Sequence, residues 1–253
     1  RRIREMYGFR FADVVLAFPD YDGIELEVKI LLDTLHSELP SLSKEENDRL
    51  FYAVLEDYAD LPTKRERMKK MKGNKAKAVL VAVYGNRAYE DTLIELEDTL
   101  IEKNFTCQAA IAAIAEHSIM HQFATGRPDQ NDLTVLSDFV RKIKEKDNNS
   151  IKSDLLPVHV PGNRPYREYG TIPLIPGASH TCGSCGLCAA KCPSGAIPSD
   201  NPKHTDKDKC ISCMRCISVC PTHSRKLNPL MLAAASQKLK KACSGRKENE
   251  LFL

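Results

Sequence analysis

Eight of the ten cysteines fall between Cys182 and Cys220, in two copies of one pattern. Cys182, Cys185, Cys188 and Cys192 precede Pro193, and Cys210, Cys213, Cys216 and Cys220 precede Pro221, so each copy reads C-x2-C-x2-C-x3-C-P. Thiolates two residues apart let a tight loop wrap three iron corners of a cubane, while a fourth Cys on the next turn points away and ligates the neighbouring cluster. The spacing predicts two [4Fe-4S] clusters with crossed ligation. One takes Cys182, Cys185, Cys188 and Cys220; the other takes Cys210, Cys213, Cys216 and Cys192. Their chemistry is one-electron transfer.

Residues between the ligands suit that role. Gly183 and Gly186 permit a close wrap, and Ile197, Ile211, Ile217 and Val219 can supply a dry shell that tunes the reduction potential. A piece this small holds little core, so bound clusters would supply much of its folding energy. Structural zinc normally uses separated pairs of Cys or His, which leaves a third in-phase Cys and a trailing Cys-Pro superfluous. Disulfides fit worse, because such close neighbours pair poorly and no secretory context is visible. Cys107 and Cys243 stand apart in stretches that read as a strand and a helix, and are expected as small buried hydrophobes.

The net charge of +3 is unevenly spread. Residues 177–253 hold 12 Lys/Arg against 5 Asp/Glu, leaving 25 against 29 for the rest. The excess is concentrated from Lys238 to Lys247 without interleaved aromatics, which argues against a nucleic-acid partner. Eight thiolates and two oxidised cores would bring the basic region down to about +3, and what remains can steer an acidic redox partner. No apolar run reaches the roughly 18 residues of a membrane span. No signal-peptide pattern follows Arg1.

The elements that would position this chemistry are α/β in pattern. Asp13 to Phe18 reads as a strand, followed by a helix with Ile24, Val28, Leu31, Leu35 and Leu39 inward. Ser43 with Glu46 and Thr63 with Glu66 form capping boxes. The first predicts a helix burying Leu50, Phe51, Val54, Leu55 and Tyr58, the second a short basic helix ending at Gly73. Ala76 to Val83 (AKAVLVAV) suits a strand buried on both faces. A loop, Tyr84 to Glu90, leads to a helix from about Asp91 to Lys103 with Leu93, Leu96, Leu100 and Ile101 on one face. The run QAAIAAIA is ambiguous by composition and placed as a strand by position. Asp132 can cap a helix carrying Leu133, Leu136, Val140 and Ile143. The stretch from Pro157 to Pro176 holds five prolines and reads as a connection, either solvated or packed along a surface through Arg164, Tyr166, Arg167 and Tyr169. A helix through Leu230, Ala234, Leu239 and Ala242 precedes a terminal LFL that packs on a domain. The division expected is an α/β domain over 1–145 with a helical insertion at about 40–73, a Pro-rich linker over 146–176, the two-cluster domain over 177–227, and a C-terminal helix and tail over 228–253.

The cysteine region resembles a bacterial-type two-cluster ferredoxin. The segments VAVYGNRAYEDTLIEL, AEHSI, ATGRPD, PGNRPYRE and KACSGRKENELFL are similar to the 4Fe-4S-binding flavodoxin-like fusion family of anaerobic bacteria, over roughly residues 74–253. The resemblance implies a flavodoxin-like domain ahead of a small α+β ferredoxin-like domain, FMN as a third redox centre, and cytoplasmic one- and two-electron traffic. It implies that Tyr84, Gly85, Asn86, Arg87 and Tyr89 flank the flavin ring at a strand's carboxyl end; the other reading is an ordinary βα turn. His117 and Ser118 open a further strand-end loop with an expected structural role. Pro19, Tyr21 and Gly23 resemble the family's P-x-Y-x-G loop after its third strand. The first strand and its Thr/Ser/Gly-rich phosphate loop are not recognisable, so the sheet is expected to be incomplete, with an edge to be covered. The functions expected are an electron carrier serving oxidoreductases, a flavin-dependent reductase of a small molecule, or a carrier whose α/β half docks without flavin.

Overall fold

The computed structural model describes residues 14–17, 50–56, 73, 75, 77–149, 158–168 and 174–253. In chain order the elements are β1 (Val14–Ala17), β2 (Leu50–Glu56), β3 (Lys77–Tyr84), α1 (Thr92–Glu102), β4 (Thr106–Ile114), α2 (Gln130–Asn149), β5 (Gly177–Ala178), α3 (Leu187–Ala190), α4 (Arg215–Ser218), β6 (Arg225–Lys226), α5 (Pro229–Cys243) and β7 (Glu250–Phe252). Strands β1 to β4 lie parallel and side by side in chain order, with β7 antiparallel on the far side of β4. Strands β5 and β6 form a separate antiparallel pair.

This is a mixed α/β fold. The parallel strands run in simple sequence, so the order reversal at which doubly wound sheets open a ligand crevice is absent among the described strands, and a flavodoxin-like order is not drawn by them. The strand expected near Asp13 to Phe18 is β1, and QAAIAAIA lies in β4.

The helix expected to bury Leu50, Phe51, Val54 and Leu55 is instead β2, paired with β1 and β3 from Leu50↔Lys77 to Glu56↔Val83. A continuous apolar run such as LFYAVL satisfies a buried parallel strand as well as a helix, and sheet pairing decides between them. The insertion at 40–73 is therefore not wholly helical. Tyr21, the helix expected after it, Tyr58 and the basic helix before Gly73 lie outside the described residues.

Both sheet faces are covered, as parallel sheets require. Alternation along β3 and β4 sends Leu80, Ala110 and Ile114 toward Leu93, Leu96 and Leu100 of α1, while Val81, Ile111 and Ala113 meet Leu136, Phe139 and Val140 of α2. Ile101 is 53% exposed and does not share the inward face; it lies about 100° around the helix from Leu100. Asp129, not Asp132, caps α2: its Oδ1 accepts from the N–H groups of Asn131 and Asp132, both at 3.0 Å. Asp132 completes the cap by accepting from the Asp129 N–H at 2.8 Å and also forms a buried ion pair with Arg127.

The Pro-rich stretch packs along α1 where it is described. Arg164 Nε donates to Asp98 at 2.8 Å and Tyr166 donates to the same carboxylate at 2.5 Å. Asp91 accepts from the backbone N–H of Asn163 at 2.8 Å and of Arg167 at 2.7 Å. Leu251 and Phe252 of the C-terminal LFL lie in β7, which closes the edge of β4 through Ala110↔Phe252, Ile111↔Leu251 and Ala112↔Glu250. In α5, Leu232, Ala235 and Leu239 pack toward the core while Leu230 is 81% exposed.

Candidate iron-sulfur site

The two cysteine loops repeat at an interval of 28 residues, Cys182 matching Cys210 and Cys192 matching Cys220. The backbone repeats with them. Ser184 and Ser212 have φ of 55° and 54°, Gly186 and Gly195 have 77° and 64°, and their counterparts Met214 and His223 have 61° and 48°. Left-handed conformation is costly for residues other than Gly, Asn and Asp. Its recurrence at three matched positions therefore marks a shape both loops must adopt. Gly186 and Met214 stand directly before α3 and α4, where a left-handed residue turns successive N–H groups toward one concave point.

The closing cysteines are held alike. The N–H of Ala196 donates to Cys192 Sγ and that of Ser224 to Cys220 Sγ, each at 3.2 Å. Hydroxyls of Ser194 and Thr222 lie 3.7 Å from the same two sulfurs. Donors aimed at sulfur favour the more negative state of a thiolate and of any cluster bound to it.

Burial pushes the thiols of Cys213 and Cys216 up, to about 11 and about 12, and raises Cys210 as well. At Cys220 burial acts in the same direction but is outweighed by hydrogen bonds from Arg225, Thr222 and Ser224, so its pKa falls. Buried thiols of this kind stay neutral until a metal displaces the proton.

All ten cysteines are free of disulfides. A cubane spreads its thiolates over separate irons, whereas structural zinc gathers four ligands about one ion. Two matched loops of soft thiols, with donors on sulfur and a shell including Ile197 and Met214, fit [4Fe-4S] clusters.

The matched residues Ser184, Ser212 and Met214 and the buried Arg225 were not singled out by their types. The 28-residue register could have found them, because it aligns Arg225 with Ile197.

The loop assigned to flavin by resemblance is brought together, but around the chain's own tail. Asn86 Nδ2 donates to the carbonyl of Cys243 at 2.7 Å and to that of Gly245 at 2.9 Å. Lys247 Nζ donates to the carbonyl of Arg87, and Tyr89 donates to Glu250 at 3.3 Å. Tyr84 packs edge-on against Tyr89, ring centres 5.1 Å apart. Gly85 is crossed by His117, whose Cα lies 2.8 Å from where a Cβ would stand. The glycine therefore makes room for a neighbouring loop. His117 Nδ1 accepts from the N–H groups of Ile119 and Met120 at 3.2 and 3.3 Å, a structural role.

Residues 181–224 match the 4Fe-4S dicluster domain family. The trichloroethene reductive dehalogenase of Dehalococcoides mccartyi is 35% identical over a stretch covering 20% of this chain and 12% of that protein. The chain thus spans about an eighth of the length of that relative. No solved structure matches the chain. The matched loops and the family agree on the same residues: the segment 181–224 is a 4Fe-4S dicluster domain.

Proposed function

We propose that this chain is an electron carrier that holds two [4Fe-4S] clusters by crossed ligation and exchanges single electrons with partner oxidoreductases in the cytoplasm. The observation that carries this reading is the repeat of backbone conformation and sulfur hydrogen bonds in the two loops, which supports two equivalent cluster cradles. The loops differ in surroundings. Cys185 is exposed, whereas Cys213 and Met214 pack into the core shared with the sheet. Electrons would therefore enter and leave through the first loop, since transfer favours an exposed edge. Among the described residues no helix is long and apolar enough to cross a membrane, and ten cysteines without a disulfide suit a reducing compartment.

Of the roles open to the α/β half, a flavin-free packing and docking unit is favoured, because the tail already occupies the loop that a flavin would need. Anaerobic purification with iron, sulfide and acid-released flavin analysis tests the reading. About eight irons and no flavin support it. Stoichiometric FMN with turnover of a small acceptor would favour the flavin-dependent reductase instead.

A further inference from the structure

The 28-residue repeat matches the outer faces of the two cysteine loops residue for residue. Gly183, Ser184, Cys185, Gly186 and Leu187 stand where the second copy has Ile211, Ser212, Cys213, Met214 and Arg215. In the second copy this face is covered. Ser212, Cys213, Met214 and Arg215 are buried, Cys213 and Met214 belong to the core that includes Val81, Ile111 and Leu136, and Ile211 packs against it. In the first copy Gly183, Ser184, Cys185 and Leu187 are exposed, Leu187 to 39%.

The residue types follow the covering. The covered copy fills its interface with Ile211 and Met214, and the open copy has glycine at both places. Gly186 has a φ of 77°, so its backbone accounts for it. Gly183 is not left-handed, and no described residue comes within 4 Å of where its Cβ would stand. Ile211 shows that the cradle accepts a branched side chain at the same position. The fold therefore gives no reason for glycine at 183. Close approach of a second protein to Cys185 does give one, because a missing side chain shortens the path of an electron.

This face also carries no charge. From Thr181 to Ala190 no Lys, Arg, Asp, Glu or His occurs, in a chain that is 28% charged. Interface centres are depleted in charge and are held by a few apolar anchors. The basic excess nearer the C-terminus is partly engaged within the molecule: Arg246 pairs with Asp129 and Asp132, and Lys247 holds the carbonyl of Arg87.

We propose that the exposed face of the first loop, residues 183–187, is the contact surface for a redox protein whose own docking face is apolar and uncharged. Leu187 is the anchor and Gly183 the point of close approach. The inference rests on the two-cluster carrier reading above. The reduced cluster ligated by Cys185 gives one electron to the partner's oxidised centre, and no bond or proton changes hands. So small a face suits the low-area, short-lived complexes of electron transfer.

The test uses the anaerobically purified full chain and two redox probes, a blue-copper protein with an apolar docking patch and a haem cytochrome with an acidic one. Stopped-flow oxidation of the reduced chain at rising probe concentration gives a dissociation constant and a limiting rate. Calorimetry of the oxidised proteins reads the heat-capacity change of binding. The expected result is saturable transfer to the blue-copper protein, nearly independent of ionic strength, with a negative heat-capacity change. L187R copies the second repeat and should raise that dissociation constant by roughly tenfold or more, since an unpaired charge must be desolvated. G183I, the other copy, should lower the limiting rate, and L230K on α5 should change neither. Iron content and potentials show that each variant keeps both clusters; L187A and G183A carry the same comparison if the larger changes do not. Intact variants at 183 and 187 that match wild type would overturn this inference alone. Tighter binding to the acidic cytochrome than to the blue-copper protein would also overturn it, in favour of an acidic partner. Wild-type protein with fewer than two clusters would overturn both this inference and the reading beneath it.

Discussion

Asn86, in the loop that follows β3, donates through one amide nitrogen to the carbonyls of Cys243 and Gly245, 157 and 159 residues away. The side chain is 2% exposed. This contact ties the α/β sheet to the segment that follows the dicluster domain. Asn86→Ala leaves two carbonyls without their donor and should destabilise the chain by about 1 to 3 kcal/mol. Denaturant unfolding of the two proteins checks it; a loss under about 0.5 kcal/mol would mean the tail is not anchored here.

The buried pair Arg127 and Asp132 is a second anchor, since Arg127 also donates to the carbonyl of Lys247 and Asp132 accepts from Asn249 Nδ2 at 3.0 Å. Removing Arg127 takes away the buried counter-charge of Asp132 and leaves it the half-exposed Arg246 at 3.2 Å. Arg127→Met should cost about 3 kcal/mol, measured as a shift in unfolding midpoint. Restoring stability with the double change Arg127→Met, Asp132→Leu would confirm that the under-compensated carboxylate is the cause.

Gln108 is buried in β4 with both side-chain polar atoms unpartnered, beside the register shift at Ala78/Val79. An apolar side chain of similar volume removes that desolvation cost. Gln108→Met is expected to raise stability by about 1 kcal/mol, and a clear loss in thermal unfolding would show that the amide serves an unrecognised partner.

His117 links folding to pH. Burial first, then the charges of Arg87 and His121, hold its pKa down to about 4 against 6.5 for a free histidine. Below pH 6.5 the unfolded chain takes up a proton that the folded chain refuses. The stability present above 6.5 is therefore lost as pH falls toward 4, by about 2 kcal/mol at pH 5. Unfolding of wild type and His117→Gln between pH 7.5 and 5 should show a shallower fall in the variant. Parallel curves would assign the acid sensitivity elsewhere.

In the proposed crossed ligation Cys192 serves the more distant centre. Cys192→Ser should damage the cluster of Cys210, Cys213 and Cys216 and spare that of Cys182, Cys185 and Cys188. Iron content together with assigned cysteine β-proton signals reads this out. Selective loss of the centre nearest in sequence would refute the crossing.

Legibility followed the range of the interactions concerned. Helix α1 was readable because Leu93, Leu96 and Leu100 recur at its own period, although Ile101 fell just off the stripe. Strand β2 was misread because LFYAVL carries no period, so only its neighbours in the sheet distinguish strand from helix. The first capping position fell to Asp129, with Asp132 reaching back to its N–H, because two carboxylates three residues apart satisfy the local pattern together.

By itself the sequence determined the dicluster domain, since clusters demand sulfur at short fixed intervals and those intervals are written in consecutive residues. The tertiary structure decided that the tail becomes strand β7, that Asn86 and Gly85 serve the tail and His117, and that Arg225 lies buried opposite its apolar twin Ile197. Each depends on which distant segments exclude water from one another, and burial of that kind has no local signature.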